Sequence, residues 1–446
     1  MKKIALFFVA ITCLFYFSCK KNSNNNEQEE ADKANKSSFY KYSVSFPDQY
    51  RHASYFVGPK VVSKDVLFMF GGGPGNINND YHLLSGFKSD STFLFIKKIE
   101  LESGAIIDMV PDGNGGIVVY GNRKPSFYQH YPFVARFNAN GELLWSKSFM
   151  DTQYDLQNVS QGVFYERSLS QVVANKLALF GGSSTLLLDL DGNLIWRAVT
   201  NGYAGYLDDS GVTIFSEKSG NKAFVIKKLS YTGNLLWAKS ASGETNAAMA
   251  FGRPLMLNNN TVLLPYIHKT VITRNPSYGM LNLSKDGTII SNKQYSPAAM
   301  NISVETRPYE IYRKADGKIW MHVASVRYEG VGNYSPYEGG FYLNEDGTVD
   351  VSGFYYGESS SFALSNNQVI GFGRDGRTIN TGYIGSACAK KNVPNVGVAI
   401  SNSGLNFGSF ISFNESVILA PVTVSNFQIT VSNHKKFDIS KPTICQ

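Results

Sequence analysis

The chain has 446 residues and a formal net charge of +7, with 43% apolar, 13% aromatic and only 17% charged residues. Two of those positive charges are Lys2 and Lys3, and the remaining excess of +5 (7 − 2) is too small and too scattered to indicate a nucleic-acid partner. So much aromatic surface with so little charge excludes a disordered polymer and favours strands over helices.

In chain order, Lys2 and Lys3 precede an apolar run over residues 4–17, which stops at Ser18 and Cys19. Charge holds such a start on the cytoplasmic side, while roughly 7–15 apolar residues enter a bilayer without spanning it. A small residue and then a cysteine at the end of the run resembles the lipobox of bacterial lipoproteins. The resemblance implies that the signal 1–18 is removed and that Cys19 carries lipid. Tyr16 stands where that family usually has leucine, and Cys13 is a poorer match because the apolar run continues past it. An uncleaved anchor or an ordinary cleaved signal is the alternative reading. Lys20 replaces the aspartate that retains family members in the inner membrane, so the resemblance implies an outer-membrane lipid anchor in the cell envelope, facing the periplasm or the surface. Residues 19–38 are rich in Asn, Glu, Gln, Lys and Ser and bury nothing; as a flexible tether they would span about 25 Å.

Residues 39–446 carry one returning pattern: an alternating run, a turn with glycine, and a second alternating run. Its clearest copies are 133–145, 185–196 and 224–237, and the glycines at its corners are Gly104, Gly141, Gly192, Gly233, Gly287, Gly347 and Gly404. Tight hairpins need positive φ, which glycine adopts without steric penalty. The glycines recur at intervals of 37 to 60 residues, which suits a four-stranded blade with its loops. Between them lie short apolar runs at 66–70, 116–120, 176–180, 211–215, 262–266, 318–322 and 368–372, expected to be inner strands buried on both faces. The expected fold is therefore all-β, a β-propeller of seven blades. An eighth is left open, built from 417–420, 427–431 and the N-terminal run 40–46.

The spacing Gly141 to Trp145, Gly192 to Trp196 and Gly233 to Trp237 is similar to the blade motif of quinoprotein-type propellers, in which the tryptophan docks between blades. That resemblance implies architecture and not activity. No adjacent cysteine pair of a working quinoprotein is present, and no cofactor is expected. Of the four cysteines only Cys388 and Cys445 remain in the mature domain, where they pair as a disulfide or stay as two free thiols.

No reactive motif stands out. The six histidines are widely spaced, with His322 on an inner strand the one to inspect; Gly71 to Asn76 lacks the lysine of a phosphate loop; Asp189 to Asn193 reads as a turn and not a calcium loop. Segments 123–131, 327–337 and 374–394 are rich in Tyr, Asn, Gly and Arg and are candidate ligand loops. The leading expectation is a membrane-tethered, non-catalytic binding or scaffolding propeller with a protein or glycan ligand. The alternative is an envelope glycan hydrolase or lyase with acids at the propeller mouth.

Overall fold

The structure, a computed structural model, describes residues 39–45 and most of 60–444; the longest stretches outside it are 1–38, 46–59, 151–167, 298–310 and 384–397. Cys19, Cys388 and Cys445 all lie outside the described residues, as do the signal and the tether.

Every named element is a β-strand. After β1 (Phe39–Ser45) the chain builds antiparallel sheets one after another. Sheet 1 holds β2 (Lys60–Ser63), β3 (Val66–Gly72), β4 (Tyr81–Lys88) and β5 (Phe93–Leu101); sheet 2 holds β6 (Gly104–Pro111), β7 (Ile117–Ser126), β8 (Gln129–Phe137) and β9 (Leu143–Met150). Sheet 3 holds β10 (Ser168–Leu169), β11 (Lys176–Gly181), β12 (Ser184–Asp189) and β13 (Leu194–Val199); sheet 4 holds β14 (Gly202–Asp208), β15 (Gly211–Lys218), β16 (Ala223–Leu229) and β17 (Leu235–Ser242). In sheet 5 the first strand is broken into β18 (Ala247–Phe251) and β19 (Leu255–Met256), followed by β20 (Val262–Thr270), β21 (Ser277–Leu283) and β22 (Ile289–Pro297). Sheet 6 holds β23 (Ile311–Arg313), β24 (Ile319–Gly330), β25 (Asn333–Leu343) and β26 (Val349–Gly357); sheet 7 holds β27 (Ser359–Ser365), β28 (Gln368–Gly373), β29 (Thr378–Tyr383) and, from the other end of the chain, β1.

Each sheet packs on the next. Buried clusters join sheets 1 and 2, 2 and 3, 3 and 4, and 4 and 5. First strands touch around the inside, β2 meeting β6 on one side and β27 of sheet 7 on the other. The described residues thus close on themselves as a β-propeller. The apolar runs singled out in the sequence are the second strands, β3, β7, β11, β15, β20, β24 and β28. Ile117, Val118, Val119 and Tyr120 of β7 are all fully buried, as a strand covered on both faces requires.

What the sequence did not announce is the course of the last fifty residues. They form β30 (Val398–Asn402), β31 (Ile411–Ser412), β32 (Ile418–Leu419), β33 (Thr423–Asn426), β34 (Ile429–Asn433), β35 (Asp438–Ile439) and β36 (Thr443–Ile444). These add a strand in turn to sheets 5, 4, 3, 2 and 1 and then pair with β1 of sheet 7. The segments 417–420 and 427–431 therefore supply outer strands to sheets 3 and 1 instead of forming a further blade with 40–46. The physical gain is that outer strands, which would otherwise present unpaired backbone groups to solvent, are covered. Phe427 anchors this belt: it is 3% exposed, packs its ring 4.7 Å from Phe133, and donates its N–H to Ser146 O at 3.2 Å. Arg197 of β13 holds it again, accepting Ala420 N–H at 3.1 Å and donating from Nη1 to Pro421 O at 3.1 Å.

Candidate functional site

Four corner glycines sit in one repeated turn. Gly141, Gly192, Gly233 and Gly287 have φ of 71°, 83°, 86° and 78°, the left-handed region. Each donates its N–H three residues back, to Asn138, Asp189, Ser230 and Ser284, at 2.8 to 3.1 Å. The side-chain oxygen of that earlier residue gathers the turn amides as well: Asn138 Oδ1 accepts from Asn140 and Glu142, and Asp189 Oδ1 from Asp191 and Asn193. The polar residue that matters most is therefore three before the glycine, a position that no sequence motif singled out. A register shift just before each turn marks a bulge.

The same glycines have a second duty between sheets. A Cβ on Gly192 would lie 2.8 Å from the Trp145 ring of the preceding sheet, one on Gly287 2.6 Å from Trp237, and one on Gly141 2.5 Å from Phe95. Gly233 lies under Trp196 and, from the belt, Leu419. Each aromatic thus rests on the bare corner of the next hairpin, and two are fixed by hydrogen bonds: Trp145 Nε1 donates to Leu190 O at 2.9 Å and Trp196 Nε1 to Tyr231 O at 3.1 Å. Phe95 fills the tryptophan position in sheet 1, where no Gly-x-x-x-Trp spacing flagged it.

Other candidate residues fall differently. Gly104 is no hairpin corner: it opens β6 opposite Arg123, because β5 and β6 belong to different sheets. Gly347 and Gly404 lie outside the described residues; the strands flanking Gly404, β30 and β31, pair with sheets 5 and 4 and not with each other. The segments 123–131 and 327–337 are not loops but the ends of hairpins that stay paired, past a register shift in each, as far as Ser126 opposite Gln129 and Gly330 opposite Asn333. Of 374–394, residues 378–383 form β29 and the others lie outside the described residues. His322 stands in β24 opposite Gly340. Among the described residues no group of three or more metal-ligating side chains comes together.

The inner edge carries the charged chemistry. Asp108 of β6 accepts Leu169 N–H from sheet 3 at 2.8 Å through Oδ2, while Oδ1 accepts Met109 N–H at 2.7 Å and an Arg253 Nη2 hydrogen bond. Arg253 sits in the break between β18 and β19, where Gly252 N–H still bonds Pro265 O at 2.8 Å. Sheets 2 and 5 are not neighbours, so this ion pair spans the inside of the ring. A register shift between Ile106 and Asp108, with the break beside Arg253, aims both side chains inward off the ladder.

Two further ion pairs sit at equivalent places, between the first turn and the third strand. In sheet 2, Asp112 accepts Arg136 Nη2 at 2.9 Å and Nε at 3.0 Å, and the amides of Asn114 and Gly116. In sheet 4, Asp208 pairs with Lys228, both nearly buried, and accepts Ser210 N–H at 2.8 Å. Burial would raise the Asp208 pKa, but bonds from Lys228 and Ser210 outweigh it and hold the carboxyl below its ordinary range. Burial, with the charge of Asp208 added, pushes Tyr206 and Tyr231 up to about 12.

Compared with known proteins, the chain matches no protein-family model and no curated protein. Among solved structures it is similar to BamB from Moraxella catarrhalis (12% identity, 77% of this chain and 98% of that one, TM-score 0.40). It is also similar to the exotype rhamnogalacturonan lyase YesX (10% identity, 78% and 73% of the two chains, TM-score 0.37). A third is the N11 neuraminidase-like protein of A/flat-faced bat/Peru/033/2010 (H18N11) (8% identity, 79% and 92%, TM-score 0.33). Values this low say nothing of what this chain binds or does.

Proposed function

We propose that this chain is a lipoprotein of the outer membrane, tethered through lipid on Cys19, whose seven-bladed propeller is a non-catalytic binding or scaffolding body for a protein or glycan. The observation that carries the non-catalytic reading is the use made of three inner carboxylates among the described residues: Asp108, Asp112 and Asp208 are each held by a cation of the chain and by backbone amides. A hydrolase or lyase needs a carboxyl free to reach substrate and change protonation. The ligand surface is assigned to the ends of the β7–β8 and β24–β25 hairpins, which point away from the glycine turns because they join strands at the opposite end. Their Tyr, Arg, Asn and Ser content suits stacking and adaptable hydrogen bonding.

The test is binding of the folded protein to a panel of envelope glycans and outer-membrane proteins, repeated with each hairpin end shortened. A ligand lost at least tenfold with one shortened hairpin is the expected result. Turnover of a polysaccharide that Asp108→Asn abolishes in a folded protein would replace this reading with the enzymatic one. Radioactive fatty acid should label the natural chain and not Cys19→Ala; equal labelling would remove the anchor.

A further inference from the structure

A second period runs beside the corner glycines. Three residues after each glycine stand Leu144, Ile195, Leu236 and Ile290, and the pairing skips every one of them: Phe137 pairs with Leu143 and Arg136 with Trp145, and the other three ladders jump at the same place. Each is thus the extra residue of a bulge, which re-aims its side chain off the ladder. In sheet 1 the skipped residue is Leu94, between the pairs Phe87–Phe93 and Gly86–Phe95. Leu144, Ile195, Leu236 and Ile290 are 51%, 40%, 49% and 54% exposed, and Leu94 is half-buried. One exposed leucine is ordinary, but leucine or isoleucine at the same re-aimed place in five consecutive sheets calls for a partner. The belt does not supply it. Its first ladder pair on each sheet comes three residues further on, at Lys97–Asn433, Lys147–Asn426, Ala198–Leu419, Lys239–Ser412 and Lys293–Asn402. The row is left bare between the corners and the belt, and Leu419, itself 49% exposed, joins it beside Gly233.

The start of the ring lies on this same side. β1 holds the outer place in sheet 7, antiparallel to β29, and begins with Phe39 opposite Gly382, beside the end of β29 at Tyr383. In sheets 2 to 5 that is the place of the glycine corner, where the third strand ends and the outer strand starts. The chain from Cys19 therefore enters the ring on the side of the row, away from the ends of the β7–β8 and β24–β25 hairpins. Cys19 is 20 residues before Phe39, and a coil of that length spans about 25 Å. The corner turns carry Glu142, Asp189, Asp191 and Asp286 against Lys285, so this side is not drawn to an anionic surface.

We infer that the glycine-corner side of the ring docks on the membrane that holds the lipid of Cys19, with the bulge residues entering a zwitterionic lipid surface. This rests on the lipid-anchor reading and adds an orientation to it. Apolar side chains at such an interface sit roughly 5–10 Å into the headgroup boundary. The anchor keeps the lipid surface at high local concentration, so a few side chains of weak individual affinity suffice. The ligand hairpins then face away from the membrane.

Trp145, Trp196 and Trp237 directly follow members of the row and report on it. The experiment reconstitutes the full lipidated chain in phosphatidylcholine vesicles, with plain or with brominated acyl chains, and reads tryptophan emission. Bromine is expected to lower the emission about twofold, since insertion to that depth brings the rings near the acyl chains. A variant carrying Leu144→Gln, Ile195→Gln, Leu236→Gln and Ile290→Gln should float with the vesicles and lose the quenching. Equal emission from natural chain that floats with both kinds of vesicle would overturn the docking and leave the anchor standing. Chain that carries no fatty acid and does not float would remove the anchor, and the docking with it. Quenching that needs added phosphatidylglycerol would replace apolar insertion with charge attraction and overturn the proposal. A photoreactive leucine at position 236 should crosslink lipid; crosslinks to a second copy or to another envelope protein in its place would overturn the lipid assignment. The two-lipid comparison on the natural chain decides even if the fourfold variant folds poorly.

Discussion

At the rim, neighbouring sheets meet through contacts that repeat with the chain's own period: Phe95 on Gly141, Trp145 on Gly192, Trp237 on Gly287. The inner bridge and the outer belt are different. Asp108 and Arg253 are 145 residues apart, Arg197 and Pro421 are 224 apart, and Ser146 and Phe427 are 281 apart, and each contact occurs once. Rim contacts join each sheet only to the next and would serve equally in an open stack. A ring needs contacts that ignore chain order, and the bridge, the belt and β1 supply them.

That contrast can be broken from either side. The largest effect is expected from Phe427→Ala, which empties a buried site between sheets 1 and 2 and should cost about 3–5 kcal/mol. Amide exchange would then show protection lost over residues 417–433 while β7 and β11 keep theirs. Equal loss in both would mean belt and ring unfold together. Gly192→Ala attacks the rim instead: it forces a side chain into left-handed φ and against Trp145, with an expected cost of about 2–4 kcal/mol. Denaturant unfolding should show it, and Gly113→Ala, also at positive φ but with open space around its Cβ, should cost less.

Arg253→Met removes the cation from Asp108 across the ring and is expected to cost about 2–3 kcal/mol, toward the low end for a buried pair because both side chains keep some exposure. Denaturant unfolding checks it, and a double-mutant cycle with Asp108→Asn should show coupling between the two positions; full additivity would show that Arg253 acts through packing alone. The smallest effect is alkaline. Tyr206 and Tyr231 ionise at about 12 in the folded protein against an ordinary 10.0, so the stability they lend is full below pH 10 and is lost as pH rises toward 12. Absorbance titration should show late-ionising tyrosines, and a stability flat over that interval would exclude the effect. Asp208 works in the opposite sense: its lowered pKa lends stability at neutral pH that is lost as pH falls below the ordinary carboxylate range.

Much of the ring was legible in the residues because its signals are local. Short continuous apolar runs at 116–120, 176–180 and 211–215 mark second strands, since burial on both faces admits little else. Gly141, Gly192 and Gly233 mark turns through a backbone constraint that a single residue carries. Phe95 escaped because its hairpin lacks the glycine spacing, and the inner site escaped because Asp108 and Arg253 have no shared motif; only the curvature of the ring sets them face to face.

By itself the chain's composition and periodicity determined that it is built of short antiparallel strands in repeated four-stranded units, and that Gly141, Gly192, Gly233 and Gly287 turn their corners. Local geometry needs no knowledge of distant partners, so it can be written residue by residue. Tertiary structure alone decided that β1 completes the last sheet, that residues 417–433 run backwards along sheets already made, and that an aspartate and an arginine meet across the middle. Those choices depend on which unpaired edges and inward-facing charges the assembled ring leaves, and these exist only once the sheets have packed.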